Sequence, residues 1–246
     1  MHNNTLLALS GAALLMAGWG FNAHALEHEH RSLVLDASQI KALHAETGAG
    51  DLRIIGVEGQ KEIQVEADIY RSTDAEPELS LQLEQGKAHF VAQFNGNVSW
   101  GKSPYIDVVL TVPAEMTLSV DDGSGAIAIK NMHSDMKIDD GSGSLHIDGG
   151  NNLVILDGSG SIELRNISGN IALEDGSGSI TIRDCAGDVK IDDGSGSIEV
   201  SQVAGKVTIH DGSGGISVTH ANALNITESG SGEVSYRDIA GEVSVN

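Results

Sequence analysis

Six aspartates carry the most regular chemistry in this sequence: Asp122, Asp140, Asp157, Asp175, Asp193 and Asp211 each open an Asp-Gly-Ser-Gly. A seventh copy begins with Ser229 in place of the acid. Carboxylates repeated with this regularity suit a hard cation, because calcium favours carboxylate and carbonyl oxygens. If successive copies stack about 5 Å apart, each pair repels by about 0.9 kcal/mol in a water-like dielectric, and five pairs by about 4 kcal/mol, more if partly desolvated. Calcium would relieve that repulsion, and so would the turn itself. An Asp before Gly-Ser accepts from its own downstream backbone N–H groups as an Asx-turn, and hydrogen bonds to a charged group contribute about 1.5–3 kcal/mol each. The six are therefore calcium candidates, set against a reading in which turn N–H groups satisfy all of them. The sequence also departs from the calcium-binding pattern Gly-Gly-x-Gly-x-Asp. After Gly158-Ser159-Gly160-Ser161-Ile162 come Glu163 and Leu164, so the ligand Asp of that pattern is missing.

Other residue types that could do chemistry are weaker. Asp121, Asp139, Glu174, Asp192 and Glu228 precede the corner copies, interrupted by Leu156 and His210, and read as a solvated acidic face. The serines Ser124, Ser142, Ser159, Ser177, Ser195, Ser213 and Ser231 share one phase, yet no His or Lys repeats beside them to act as base. Turn residues are the simpler reading. Glu27-His28-Glu29-His30 could chelate a transition metal through imidazole, although a frayed terminus is expected there. His133, His146, His210 and His220 share no phase. Gly-Ser-Gly lies between strands, with no helix N-terminus behind it to hold a phosphate. A polysaccharide-acting enzyme on a β-helix is the catalytic alternative. Aromatics at 3% and the lack of clustered acid and base groups argue against it.

The elements that must position these residues follow from the repeat. The corner residues recur at spacings of 18, 17, 18, 18, 18 and 18, and internal periodicity of this kind signals a stacked architecture. Each period holds two short alternating runs, as in Ile162/Leu164 and Ile171/Leu173, then Ile180/Ile182 and Val189/Ile191, then Ile198/Val200 and Val207/Ile209. Residues at i and i+2 share a face of a strand. Each period is therefore two strands and two corners. So small a unit buries nothing alone, and stacking supplies both the hydrogen-bond ladder and the core. Asn151-Asn152 lies where one copy loses a residue, and Leu224/Ile226 arrive one residue early, so a bulge or corner adjustment is expected at both. Cys185 occupies the phase of Ile167, Val203 and Ile239 and reads as a small buried side chain.

Residues 1–25 read as a secretory signal: Thr5 to Phe21 is uncharged and Ala23-His24-Ala25 is a small-x-small cleavage site, although no Lys or Arg leads it; a retained N-terminal anchor is the competing reading, the 17-residue apolar stretch falling just short of the usual spanning length. No later segment is apolar enough to span a membrane. The rest keeps the net charge of −21, which repels nucleic acid and anionic lipid. In residues 26–116, Glu46-Thr47-Gly48-Ala49-Gly50-Asp51-Leu52-Arg53-Ile54 looks like a worn corner and strand. Longer hairpin strands follow, with Gln85-Gly86 as a turn and Tyr105 to Val112 ending at Pro113.

Val112-Pro113-Ala114-Glu115-Met116-Thr117-Leu118-Ser119-Val120, followed by Gly-Ser-Gly-x-Ile copies, resembles the bacterial β-strand-repeat domain of unknown function whose members are called putative adhesins. The resemblance spans residues 34–246 and implies an exported or envelope protein with a β-solenoid core. It implies no chemistry and no catalytic residues.

The sequence thus predicts an all-β chain: a signal (1–25), an N-terminal antiparallel β cap with a degenerate first coil (26–116), and a parallel β-solenoid of 18-residue two-strand coils (117–246). A non-enzymatic protein of the periplasm or cell surface is expected. Its expected partner is a protein or surface polymer, without nucleic acid, and further copies of itself through the C-terminal edge.

Overall fold

The alternation of aliphatic and polar residues produces strands throughout. The computed structural model describes residues 26–71, 75–95 and 103–246; the expected signal, residues 1–25, lies outside them. Among the described residues there are nineteen strands and no helix. The first eight are β1 (Glu27–Asp36), β2 (Ala42–Ala49), β3 (Leu52–Val57), β4 (Glu62–Arg71), β5 (Pro77–Glu84), β6 (Lys87–Phe94), β7 (Tyr105–Pro113) and β8 (Thr117–Lys130). The repeats add β9 (Met136–Asp140), β10 (Gly143–Asp148), β11 (Leu153–Asp157), β12 (Gly160–Ile167), β13 (Ile171–Asp175) and β14 (Gly178–Cys185). The last five are β15 (Val189–Asp193), β16 (Gly196–Asp211), β17 (Gly214–Glu228), β18 (Val234–Ile239) and β19 (Val243–Val245).

These strands build two parallel ladders facing one another. Ladder I runs β8, β9, β11, β13, β15 and then the later parts of β16 and β17 to β19. Ladder II runs from the later part of β8 through β10, β12, β14 and the first parts of β16 and β17 to β18. Ile162, Ile180 and Ile198 sit on adjacent rungs in register, as the period requires. Between the ladders lies a continuous core of inward Ile, Leu and Val. Each such side chain contributes about 1.5–3 kcal/mol when fully buried.

At the N-terminal end both ladders continue into antiparallel strands. β2 lies parallel to β8 and places Thr47 opposite Asp122, and β3 places Leu52 opposite Ile127. β6 and β7 add parallel to β2 and β3. Beyond them, β5 pairs antiparallel with β6 through a tight turn at Gln85 and Gly86, both at positive φ. β4 pairs antiparallel with both β7 and β1. Glu27-His28-Glu29-His30 is thus not frayed: every residue of β1 has a partner on β4, from Glu27↔Arg71 to Asp36↔Glu62.

The two irregular copies resolve at the second corner. In a regular copy that corner turns on one left-handed residue, Asn166 or Asp184, followed by an inward side chain, Ile167 or Cys185. In the copy with 17 residues Gly149 and Gly150 stand there, both at positive φ. A side chain on Gly150 would meet the Met136 Cε at 2.5 Å, so Met136 fills the space that Ile167 fills one rung on. The early arrival of Leu224 and Ile226 appears as register shifts between β16 and β17, at Val203/Lys206 and Ile209/His210. At the last rung Tyr236, Val243 and Val245 are exposed.

Candidate functional site

The six aspartates form a row inside the molecule. Along ladder I, Ile171, Leu173 and Asp175 alternate inward, so the acid occupies the third core position of its strand before the chain turns. None of the six is more than 6% exposed. The rungs keep them in register: Asp122↔Asp140, Asp140↔Asp157, Asp157↔Asp175, Asp175↔Asp193 and Asp193↔Asp211. A water-like dielectric between them therefore does not apply, and desolvation raises the repulsion of the ionised row above about 4 kcal/mol.

The expected Asx-turn is present and satisfies one oxygen only. Backbone N–H groups of Ser142, Ser159, Ser177, Ser195 and Ser213 donate to Oδ1 of the Asp two residues earlier, at 3.0–3.3 Å. Asp122 instead accepts from the Thr47 hydroxyl of the worn coil. Every Oδ2 in the row is buried without a partner. Burial, with the neighbouring carboxylates adding to it, pushes Asp140, Asp157 and Asp193 up to about 6. Burial also carries Asp122 to about 6, against the Thr47 hydrogen bond. Asp175 and Asp211 rise for the same first reason, desolvation.

The glycines of the first corner explain why the row stacks. Gly160, Gly178, Gly196 and Gly214 hold φ near +148°, and a Cβ on any of them would come within 1.5 Å of the carbonyl oxygen one rung back. No side chain fits. Ladder hydrogen bonds run unbroken round the bend, for example Gly176 N–H to Asp157 O at 3.0 Å and Gly178 N–H to Ser195 O at 3.0 Å.

Outside this row lies a second acidic one. Glu46, Asp121, Asp139, Leu156, Glu174, Asp192, His210 and Glu228 follow one another on adjoining rungs of ladder I. A shallow groove of about 620 Å³ runs beside Asp139, Leu156, Glu174 and Asp192. The outer face of ladder II is mixed: His146 and Arg165 both contact Glu163, and Arg183 reaches Glu199 at 3.2 Å.

The second corner holds a row that sequence reasoning missed. Asp135 Oδ1 accepts from Asn152 N–H, Asn152 Oδ1 from Asn170 N–H, Asn170 Oδ1 from Asp188 N–H and Asp188 Oδ1 from Lys206 N–H, at 2.8–3.0 Å. Their recurrence at the repeat spacing was the available signal. Cys185 is buried as expected, and burial raises its thiol pKa.

Two histidine clusters lie on the N-terminal strands. In the first, His28 Nε2 and His30 Nδ1 stand 2.8 and 3.0 Å from Asp68 Oδ1, and His30 Nε2 is 2.9 Å from Glu66 Oε2. The Asp68 hydrogen bond, helped by Glu66, raises the His30 pKa. In the second, His44 and His89 approach Glu46. No sequence signal links His44 and His89, which lie 45 residues apart and meet only because β2 pairs with β6.

No family model and no curated protein matches this chain. Solved structures of similar fold include a putative adhesin from Bacteroides fragilis, 13% identical, with a TM-score of 0.44 over 89% of this chain and 97% of that one. A putative adhesin from Parabacteroides merdae is 14% identical, with a TM-score of 0.37 over 86% and 96%. A putative lipid binding protein from Parabacteroides distasonis is 16% identical, with a TM-score of 0.45 over 89% and 97%.

Proposed function

We propose that this chain is a non-enzymatic exported protein of the periplasm or cell surface, an adhesin or scaffold that binds a cationic protein segment or surface polymer along its outer acidic row. The observation that carries the reading is the in-register run Asp121–Asp139–Leu156–Glu174–Asp192 on a rigid parallel ladder. Rungs in such a ladder repeat every ~4.8 Å, so the backbone sets the spacing at which this face presents negative charge. A net charge of −21 adds long-range attraction for cations. The corner serines meet their aspartates through backbone N–H and lack an adjoining base, which supports a binding role over a catalytic one. Export rests on the uncharged leader and its Ala23-His24-Ala25 site.

The test is binding of the full chain to a fluorescent ten-residue oligolysine at two salt concentrations. Neutralising Asp139, Glu174 and Asp192 together is expected to weaken binding and flatten its salt dependence. Neutralising Asp148, Glu163 and Glu199 on ladder II removes the same charge from the other face and is expected to do less. Equal loss in both triples, or no saturable binding, overturns the reading.

A calcium-binding module is the second reading, favoured by the partnerless Oδ2 row. The midpoint between rungs lies about 2.4 Å from each, which matches calcium–oxygen bonds of about 2.3–2.6 Å. Two carboxylates per ion leave most of the usual six to eight oxygens to be found elsewhere. Thermal melts with calcium and with chelator decide it; an unchanged midpoint ends it.

A further inference from the structure

The N-terminal strands bring three ligand-type side chains to one point on the outer surface of ladder I. His44 and Glu46 alternate outward along β2, between the buried Leu43 and Ala45 and two residues apart, so both project from the same face. His89 on β6 lies directly across from His44 in the parallel register, between the buried Ala88 and Phe90. Both imidazoles aim Nε2 at the same atom, Glu46 Oε1, each at 3.0 Å. The rings are stacked with centroids 5.1 Å apart and planes 23° from parallel. The three ligand atoms all lie within 4.8 Å of one another.

We propose that His44, Glu46 and His89 bind a late first-row divalent cation, zinc being the natural occupant, with the remaining position open to water. Two imidazoles and a carboxylate are a donor set for a borderline-soft ion and a poor one for calcium or magnesium. The geometry needs little change. With zinc–ligand bonds of 2.0–2.1 Å, a tetrahedral site separates its ligand atoms by about 3.3 Å. Two of the three edges already stand at 3.0 Å. The third, between the imidazole nitrogens, closes by at most about 1.5 Å to reach the tetrahedral edge. Side-chain rotation supplies that, while the strands stay fixed by pairing on both sides of β2, to β6 and to β8.

The site is accessible and pre-formed. The side chains of His44, Glu46 and His89 are 35%, 40% and 28% exposed, so an ion enters without opening the core. Asp121 lies in register with Glu46 on the neighbouring rung, so the site begins the outer acidic row. This inference does not depend on a cationic partner for that row.

The experiment is a zinc chloride titration of the full chain in competition with a chromophoric chelator, repeated on His44→Ala, His89→Ala and Glu46→Gln. One equivalent is expected to bind to the parent chain. Each variant is expected to lose that equivalent or weaken it beyond the roughly 10–100-fold that follows changes to outer-shell partners. All three positions are outward, and a thermal melt without metal is expected to leave each variant within a few degrees of the parent. His30→Ala, in the other histidine cluster, is expected to retain the equivalent. Absence of saturable binding overturns the proposal, as does an equivalent that survives in His44→Ala or His89→Ala or disappears in His30→Ala.

Discussion

Replacing Asp157 by asparagine tests the buried acidic row most directly. Asp157 is flanked by Asp140 and Asp175, keeps Oδ1 on the Ser159 N–H and leaves Oδ2 bare. Asparagine retains the acceptor and turns the bare oxygen into a donor facing two carboxylates that lack partners. A rise from 3.8 to about 6 means that the folded chain holds the proton more tightly than the unfolded one. Above pH 6 the ionised group opposes folding by roughly 3 kcal/mol, since each tenfold change in proton affinity is worth about 1.4 kcal/mol. The penalty is absent below the unfolded value and grows as pH climbs from about 4 to about 6, so stability falls across that window. Urea unfolding at pH 7.5 is expected to show Asp157→Asn more stable than the parent by about 1–3 kcal/mol, the lower figure applying if the new donors stay unmet. At pH 4.5 the gain should shrink to about 1 kcal/mol or less. Loss of stability at pH 7.5, or an equal gain at both values, would refute the claim that these acids are buried at a cost.

Gly178→Ala forces a Cβ to within 1.5 Å of the Gly160 carbonyl at a φ of +148°, and is expected to expose the solenoid to limited proteolysis. Gly215→Ala meets nothing within 4 Å and should leave the digest unchanged. Asn170→Ala removes the acceptor of the Asp188 N–H and is expected to cost about 1–2 kcal/mol in urea unfolding, with Asn170→Asp costing less. The Cys185 thiol, buried and raised in pKa, should react with a maleimide only at the rate of unfolding, so labelling at pH 7.5 that outpaces unfolding contradicts the packing.

The core was legible because a parallel ladder repeats its register: once Ile162 and Ile180 share a phase, they share a face and a neighbour. Corner glycines and the two irregular copies were readable for the same reason. The burial of the aspartates was also in the sequence, since Ile171, Leu173 and Asp175 continue one alternation, but an Asp before Gly-Ser reads first as a corner residue. The third inward position precedes the bend, and the core extends to it. The segment Glu27-His28-Glu29-His30 looked like a loose end because it follows the expected cleavage site, where chains fray by default; its order comes from β4, which no local pattern announces. His44 and His89 were invisible because strand pairing, not spacing, brings them together.

The first corner also leaves its mark on the exterior. Along the line from Gly158 to Gly212 each layer exposes glycine beside a half-covered serine, and the preceding layer's carbonyl occupies the place where any larger group would begin. The molecule therefore carries a seam of nearly naked peptide between its two broad faces. Mutation can repaint those faces freely, whereas the seam admits almost no change of composition. A ligand that gripped it would recognise main chain rather than residues, and would find the same footing at every layer however far the rest of the surface had drifted.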